Sequence, residues 1–349
     1  MPLLTTTIGA YPKPPHTPVP LWTEIGGRRR VAPTEVYDEI VANQSTDDKR
    51  TLDRMTIEAV REQVECGIDI PTDGEIRREH YVYYHCRHIA GIDFAGLTEK
   101  TMRDGSWTAR VPTVRQDLEA GAPFLAEDWR VAQSATDGPV KMTVPGPLTI
   151  SDSIADAHYG DRAALARALA DALNVEIRRL AEAGCRWIQI DEPLFARQVD
   201  AALAFGGECL DSCFAGVPAH LNRAVHICCG YPSRLDDPDP AKADADSYFA
   251  LADIIDGAEV DAVSIEDAHR RNDLRLLERF ENTKVILGLV NIARSEVETV
   301  DALRERLIAA LAHIDAERLI AAPDCGLALL RHDMAIAKLR NLAAAARSV

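Results

Sequence analysis

The chain has 349 residues, of which 47% are hydrophobic and 27% charged, and its formal net charge is −16. That composition belongs to a globular protein with a substantial core and excludes a disordered chain. The acidic balance repels phosphate backbones, and with Arg28 to Arg30 as the only basic run it excludes nucleic acid as a partner.

No stretch approaches the ~18 apolar residues that span a bilayer, so no membrane partner is expected. The start, MPLLTTTIGAYPKP, lacks a basic region followed by an apolar one, which places the protein in the cytoplasm. In that reducing compartment the eight cysteines read as core filler, metal ligands or reactive thiols rather than disulfide partners. Cys66, Cys86, Cys185, Cys209 and Cys213 read as small buried hydrophobes.

Taken in chain order, short β-rich apolar runs fall at LTTTIG (4 to 9), GIDIPTDGE (67 to 75), VKMTVPGP (140 to 147) and RWIQIDEP (186 to 193). Four more follow: AVHICCG (224 to 230), DAVSIED (261 to 267), KVILGLVN (284 to 291) and RLIAAPDCG (318 to 326). Between them lie stretches such as DDKRTLDRMTIEAVREQVECG and DRAALARALADALNVEIRRLAEAG, whose apolar residues recur at three and four as in a helix packed on a sheet. SYFALADIIDGA, DLRLLERFEN, VETVDALRERLIAALAHI and MAIAKLRNLAAAARSV are further helical patterns. Strand and helix alternating throughout predict parallel strands joined by crossovers. Eight such units suggest an α/β chain forming a single (β/α)8 TIM barrel over residues 1 to 349, with an open doubly wound sheet as the rival. Glu75, Asp191, Glu192, His226, Cys228, Glu266 and Cys325 all stand at the C-terminal end of a predicted strand. A barrel gathers those ends around one mouth, whereas an open sheet spreads them along an edge.

Residues 96 to 139, with the strand-like pieces SWTARVPTV and WRVAQSA, predict a hairpin insertion near that mouth. Residues 10 to 47, rich in Pro, read as an extended loop over the same face, and GYPSRLDDPDPAKADADSY is a third long connection of the lid or binding type.

In AVHICCG, His226 and Cys228 are two apart, and side chains two apart on a strand share a face. An imidazole and a thiol converging on one point suit a metal; Cys229 points the other way and is left out of the site. Glu266 and Cys325 end two later runs, and the long gaps between these residues exclude a compact zinc knuckle while fitting a Zn²⁺ site assembled from separate strands. A core histidine with packing cysteines is the plainer alternative, and the placement of all four residues at strand ends argues against it. Asp191 and Glu192 in IDEP are candidates for catalysis or substrate binding, or for holding a loop by ion pairs. Glu75 in TDGE has a substrate-binding or a structural role.

Together AVHICCG, VSIED, PDCGL, IQIDEP and TTTIGAYP resemble the catalytic C-terminal barrel of cobalamin-independent methionine synthase and its single-domain relatives. The resemblance implies that His226, Cys228, Glu266 and Cys325 hold zinc. It implies a substrate thiol deprotonated on the metal and then alkylated, with Glu266 yielding its place, and it gives Asp191 the amino group of homocysteine. Three positions depart from the synthases: Tyr83 stands where they have a second amino-binding glutamate, Ala10 where they have a serine, and Ala293 where they have a histidine acting as general acid. The stretch between Cys228 and Glu266 is also longer. These departures leave the thiol open, and leave the donor open among a folate, a corrinoid protein, a methylated small molecule and an epoxide.

The expected function is zinc-dependent transfer of a methyl or alkyl group to an activated small-molecule thiol, with Asp191 and Tyr83 as catalytic candidates. Glu75, Asp191, Glu192 and Tyr84 are the substrate-binding candidates. One alternative is ring opening of an epoxide by a zinc-bound thiolate, as in epoxyalkane:coenzyme M transferases, for which Tyr83, Tyr84, His85 and His80 lie in the segment that could supply a proton. The other is a metal-handling or corrinoid-handling partner without turnover. Homo-oligomers remain open.

Overall fold

Seven parallel strands form one sheet in a computed structural model that describes residues 2–19, 33–102, 107–232, 234–237 and 242–349. In chain order the strands are β1 (Leu4–Thr5), β2 (Ile89–Met102), β3 (Trp107–Ala120), β4 (Lys141–Pro145) and β5 (Ala155–Asp156). They continue as β6 (Trp187–Asp191), β7 (Asn222–Ile227), β8 (Ala262–Ile265), β9 (Lys284–Val290) and β10 (Leu319–Pro323). The large sheet runs β1-β10-β9-β8-β7-β6-β4, and β2-β3-β5 form a separate sheet.

The run at 67 to 75 does not form a ladder strand. Pro71 has no N–H to give, and the segment makes only two isolated parallel bridges, Thr6↔Ile70 and Thr72↔Lys141. Ile70 N donates to Thr5 O at 3.0 Å and Lys141 N to Pro71 O at 2.8 Å. One short segment thus touches both edge strands, so the sheet curls back on itself.

Two layers of core follow from strand alternation. Trp187, Ala224, Ala262, Ile286, Ile320 and Ala322 cluster with Ile8 and Ile70 apart from the main core, which places them inside the curl. The opposite faces of the strands bury Ile188, Val225, Val263, Val285 and Leu319 in the larger cluster that includes the helices. Helix Thr46–Glu65 shows why such segments fold as they do. Ser45 and Asp48 form a capping box at its start, and Leu52, Met55, Ala59 and Val60 give it one buried stripe.

Other expectations shift. The hairpin spans β2 and β3 and so begins before residue 96, while WRVAQSA belongs mostly to helix Leu125–Gln133. Its buried Leu125, Trp129 and Ala132 are four and three apart, a helical period that the β-prone composition masked. Residues 10 to 47 contain helix Pro33–Ala42, and Arg28 to Arg30 lie outside the described residues. DLRLLERFEN forms a 3-10 helix, Leu274–Arg279. Among the described residues no helix is long and apolar enough to cross a membrane.

Candidate metal centre

Two residues beyond the apolar layer inside the curl, the same face of each strand turns polar: Gln189 on β6, His226 on β7 and Ser264 on β8 are all buried. Two further on stand Asp191, Cys228 and Glu266, also buried. The site is therefore the continuation of the inner layer towards the C-terminal ends of the strands.

The imidazole of His226 and the thiols of Cys228 and Cys325 offer ligand atoms that all lie within 4.8 Å of one another. His226 Nε2 is 3.4 Å from Cys325 Sγ, and His226 Nδ1 is 2.9 Å from Ser264 Oγ. His226 and Ser264 are register partners across β7 and β8, so the ladder itself sets that second contact. Cys228 is pulled toward the thiolate, first by the hydrogen bond from Cys325 and then by His226 and Lys242. Cys325 is correspondingly pushed up, first by that same bond to Cys228 and then by burial.

Glu266 is fully buried and belongs to a second group, with Cys229 and His269, rather than to the mutual His–Cys–Cys set. Its Oε2 accepts from Lys242 Nζ at 2.9 Å and lies 3.0 Å from His269 Nδ1. Its Oε1 is buried with no hydrogen-bond partner. Burial, followed by the charges of Cys228 and Asp324, raises its pKa well above the ordinary carboxylate range. His269 is aimed by Asp324, whose carboxylate accepts from the backbone N–H groups of Asp267, Ala268 and His269 at 2.8–2.9 Å. Gly288 makes room for that carboxylate, since a Cβ there would stand 2.5 Å from Asp324 Oδ1.

Two thiols and an imidazole within 4.8 Å, beside a buried carboxylate oxygen without a partner, make a donor set suited to zinc. Cys229 does face away from the triad, yet it lies against Glu266. Cys229, Ser264, His269 and Lys242 are the residues that the sequence left unassigned. Ser264 alone carried a signal, its position two before Glu266 on the same strand.

Asp191 stands beside His226 in the β6–β7 register, and burial pushes its carboxyl up to about 7, with the His226 side opposing and Glu75 adding to the rise. Gln189 Nε2 donates to Asp191 Oδ1 at 2.7 Å, while Gln189 Oε1 accepts from Lys141 Nζ at 2.6 Å. Lys141 is wholly buried, and burial lowers its pKa to about 7. Glu75, with φ 53°, accepts from Thr143 Oγ1 at 2.9 Å and lies 3.6 Å from Arg78 Nη1.

Glu192 has a different setting. Its carboxylate accepts from Leu148 N at 2.8 Å, Thr149 N at 3.0 Å and Thr149 Oγ1 at 2.7 Å, so it caps helix Pro147–Ser153. Tyr83 donates to Ser153 O at 3.0 Å and stacks on His80, with centroids 4.4 Å apart. Tyr84 donates to Asp128 Oδ2 at 2.7 Å. These hydroxyls bond to the surrounding helices. From the long connection after β7, Tyr231 OH donates to Gly326 O at 3.2 Å, next to Cys325.

Residues 3–228 and 241–348 match the family model described as the catalytic domain of cobalamin-independent synthase. A methionine synthase of Saccharolobus solfataricus is 30% identical over 98% of this chain and 93% of its own length. One from Thermococcus kodakarensis is 28% identical over 98% and 92%. The solved structure of a B12-independent methionine synthase from a Shewanella species, in complex with selenomethionine, superposes with a TM-score of 0.82 at 29% identity, covering 99% of this chain and 97% of that one.

Proposed function

The chain belongs to the cobalamin-independent synthase catalytic-domain family, the methionine-synthase-like methyltransferases, and on that premise we propose that it alkylates a small-molecule thiol with the help of zinc. We read the bridges at residues 70 and 72 as the closure of a (β/α)8 barrel over the whole chain, with the β2–β3 hairpin as its insertion. Zinc would be held by His226, Cys228 and Cys325 with Glu266 as the fourth and weakest ligand. The metal would stabilise the substrate's sulfur as a thiolate near neutral pH.

The chain's own residues supply the rest. With Nε2 turned to the metal position, His226 keeps its proton on Nδ1 and donates it to Ser264 Oγ, which fixes tautomer and ring orientation. Asp191, steadied by Gln189, accepts a hydrogen bond from a cationic amino group on the thiol substrate. Glu75 offers a second carboxylate beside it, and Glu192 holds the helix that frames the mouth. In the transfer the carbon–donor bond breaks with its electron pair going to the donor, a carbon–sulfur bond forms, and the thiol proton is released. Support comes chiefly from the convergence of His226, Cys228 and Cys325 from two separate strand ends.

An acceptor other than homocysteine is favoured by Ala10, Tyr83 and Ala293, which lack the polar groups the synthases place around the amino acid and the donor nitrogen. Ala293 is buried and its carbonyl accepts from Asp236 N at 2.7 Å, so the long connection after β7 occupies that corner. Zinc-loaded protein is to be incubated with L-homocysteine or coenzyme M, each with methyltetrahydrofolate or with epoxypropane. Thioether formed only with a methyl donor supports methyl transfer; hydroxyalkyl thioether from epoxypropane supports ring opening. Full turnover by metal-free protein contradicts both.

A further inference from the structure

Lys242 reaches the candidate metal centre from the connection after β7, two residues past the stretch 229–240 that lies outside the family match. Its ammonium sits 2.9 Å from Glu266 Oε2, with the lysine side chain 11% exposed and the carboxylate side chain 0%. The segment that carries it is anchored on both sides of the chain path. Ala243 N donates to Cys229 O at 2.8 Å, and Arg270 Nη1 donates to Ala243 O at 2.8 Å. Arg270 Nη2 also reaches Asp244 O at 3.2 Å. A lysine held this way is a built contact rather than a passing surface pair.

Its partner is also the weakest of the four zinc ligands. His269 Nδ1 lies 3.0 Å from the same Oε2 but hydrogen-bonds to Asp324 Oδ2 at 3.2 Å, so Lys242 is the donor that holds Oε2, and Oε1 is left alone for the metal. A buried carboxylate released from a metal without compensation is costly, and a cation already beside it removes that cost. Resting on the zinc reading above, we propose that Lys242 is a positioning residue that keeps Glu266 a weak, one-oxygen ligand. Were a thiol to displace Glu266 from the metal, the Lys242 ammonium would keep the carboxylate's charge compensated. The covalent chemistry is unchanged; what Lys242 sets is how readily the fourth position opens.

Zinc affinity, measured by competition with a chromophoric chelator, tests this without reference to turnover. Lys242→Met is expected to tighten zinc binding on the order of tenfold, opposite in sign to the losses that follow removal of groups supporting a metal ligand, because here the lost group restrains the ligand. Lys242→Arg, which keeps the cation, should restore the wild-type value. In a Glu266→Gln background, where no carboxylate remains to be restrained, Lys242→Met should leave zinc affinity unchanged. Equal affinity of wild type and Lys242→Met, weaker binding in that variant, or the same effect with and without the Glu266 carboxylate overturns the proposal while leaving the zinc reading intact. A wild-type chain that takes up no zinc overturns both.

Discussion

Lys141 has no exposure to solvent, and among the described residues its only hydrogen-bond acceptor is the amide oxygen of Gln189 at 2.6 Å. Burial lowers its pKa from 10.5 to about 7, with Asp191 opposing the shift. The unfolded chain holds the proton up to its ordinary pKa, whereas the folded chain sheds it above about 7. Between those values the unfolded state binds more protons, so the folded state gains stability as pH rises. The slope is about 1.4 kcal/mol per pH unit, and the full interval contributes about 4 to 5 kcal/mol. The gain is complete above the unfolded pKa and is lost as pH falls to the folded one. Urea unfolding of metal-free wild type and Lys141→Met between pH 7 and 10 measures it. The variant also loses the bond to Gln189, but that offset does not depend on pH, so the difference in slope isolates the lysine. Parallel stability curves for the two proteins would refute the assignment of a buried, deprotonating Lys141.

Three further outcomes follow from the same geometry. Cys325→Ser should lower zinc affinity by more than ~100-fold in chelator competition, because a hydroxyl replaces a thiolate ligand in a soft donor set. Ser264→Ala leaves the Nδ1 proton of His226 without its acceptor and should weaken zinc about tenfold, equivalent to ~1.4 kcal/mol, with little change in the extent of folding. Glu192→Ala removes three hydrogen bonds at the start of helix Pro147–Ser153 and should cost about 3 kcal/mol in urea unfolding while zinc affinity stays within twofold; a large loss of zinc with unchanged stability would place Glu192 at the metal instead.

The sequence made the candidate metal centre legible where a strand period carried it. His226 and Cys228 share a face because they are two apart on one strand, and Cys325 ends another run of the same kind. The surroundings of Glu266 were not legible, because Lys242 comes from an aperiodic connection and His269 from a turn held by Asp324. Glu192 looked like a site carboxylate beside Asp191, yet its neighbours in space are the N–H groups of a helix more than forty residues earlier. In the fold, the alternation of strand and helix predicted a (β/α)8 barrel, and the described residues form a curled seven-stranded parallel sheet. Pro71 kept the second run from pairing along its length, and the helical spacing of Leu125, Trp129 and Ala132 was hidden among β-prone residues. The family resemblance read from five short motifs holds over nearly the whole chain, with residues 229–240 outside it.

The central claim is that this mouth binds zinc and opens it to a thiol. Zinc X-ray absorption on the purified chain, alone and with a panel of thiols, addresses it directly. About one zinc per chain is expected, with two sulfur and two lighter ligands at rest and a third sulfur in place of an oxygen when the acceptor thiol is added. A chain that takes up no zinc, or a zinc shell that no thiol alters, contradicts it.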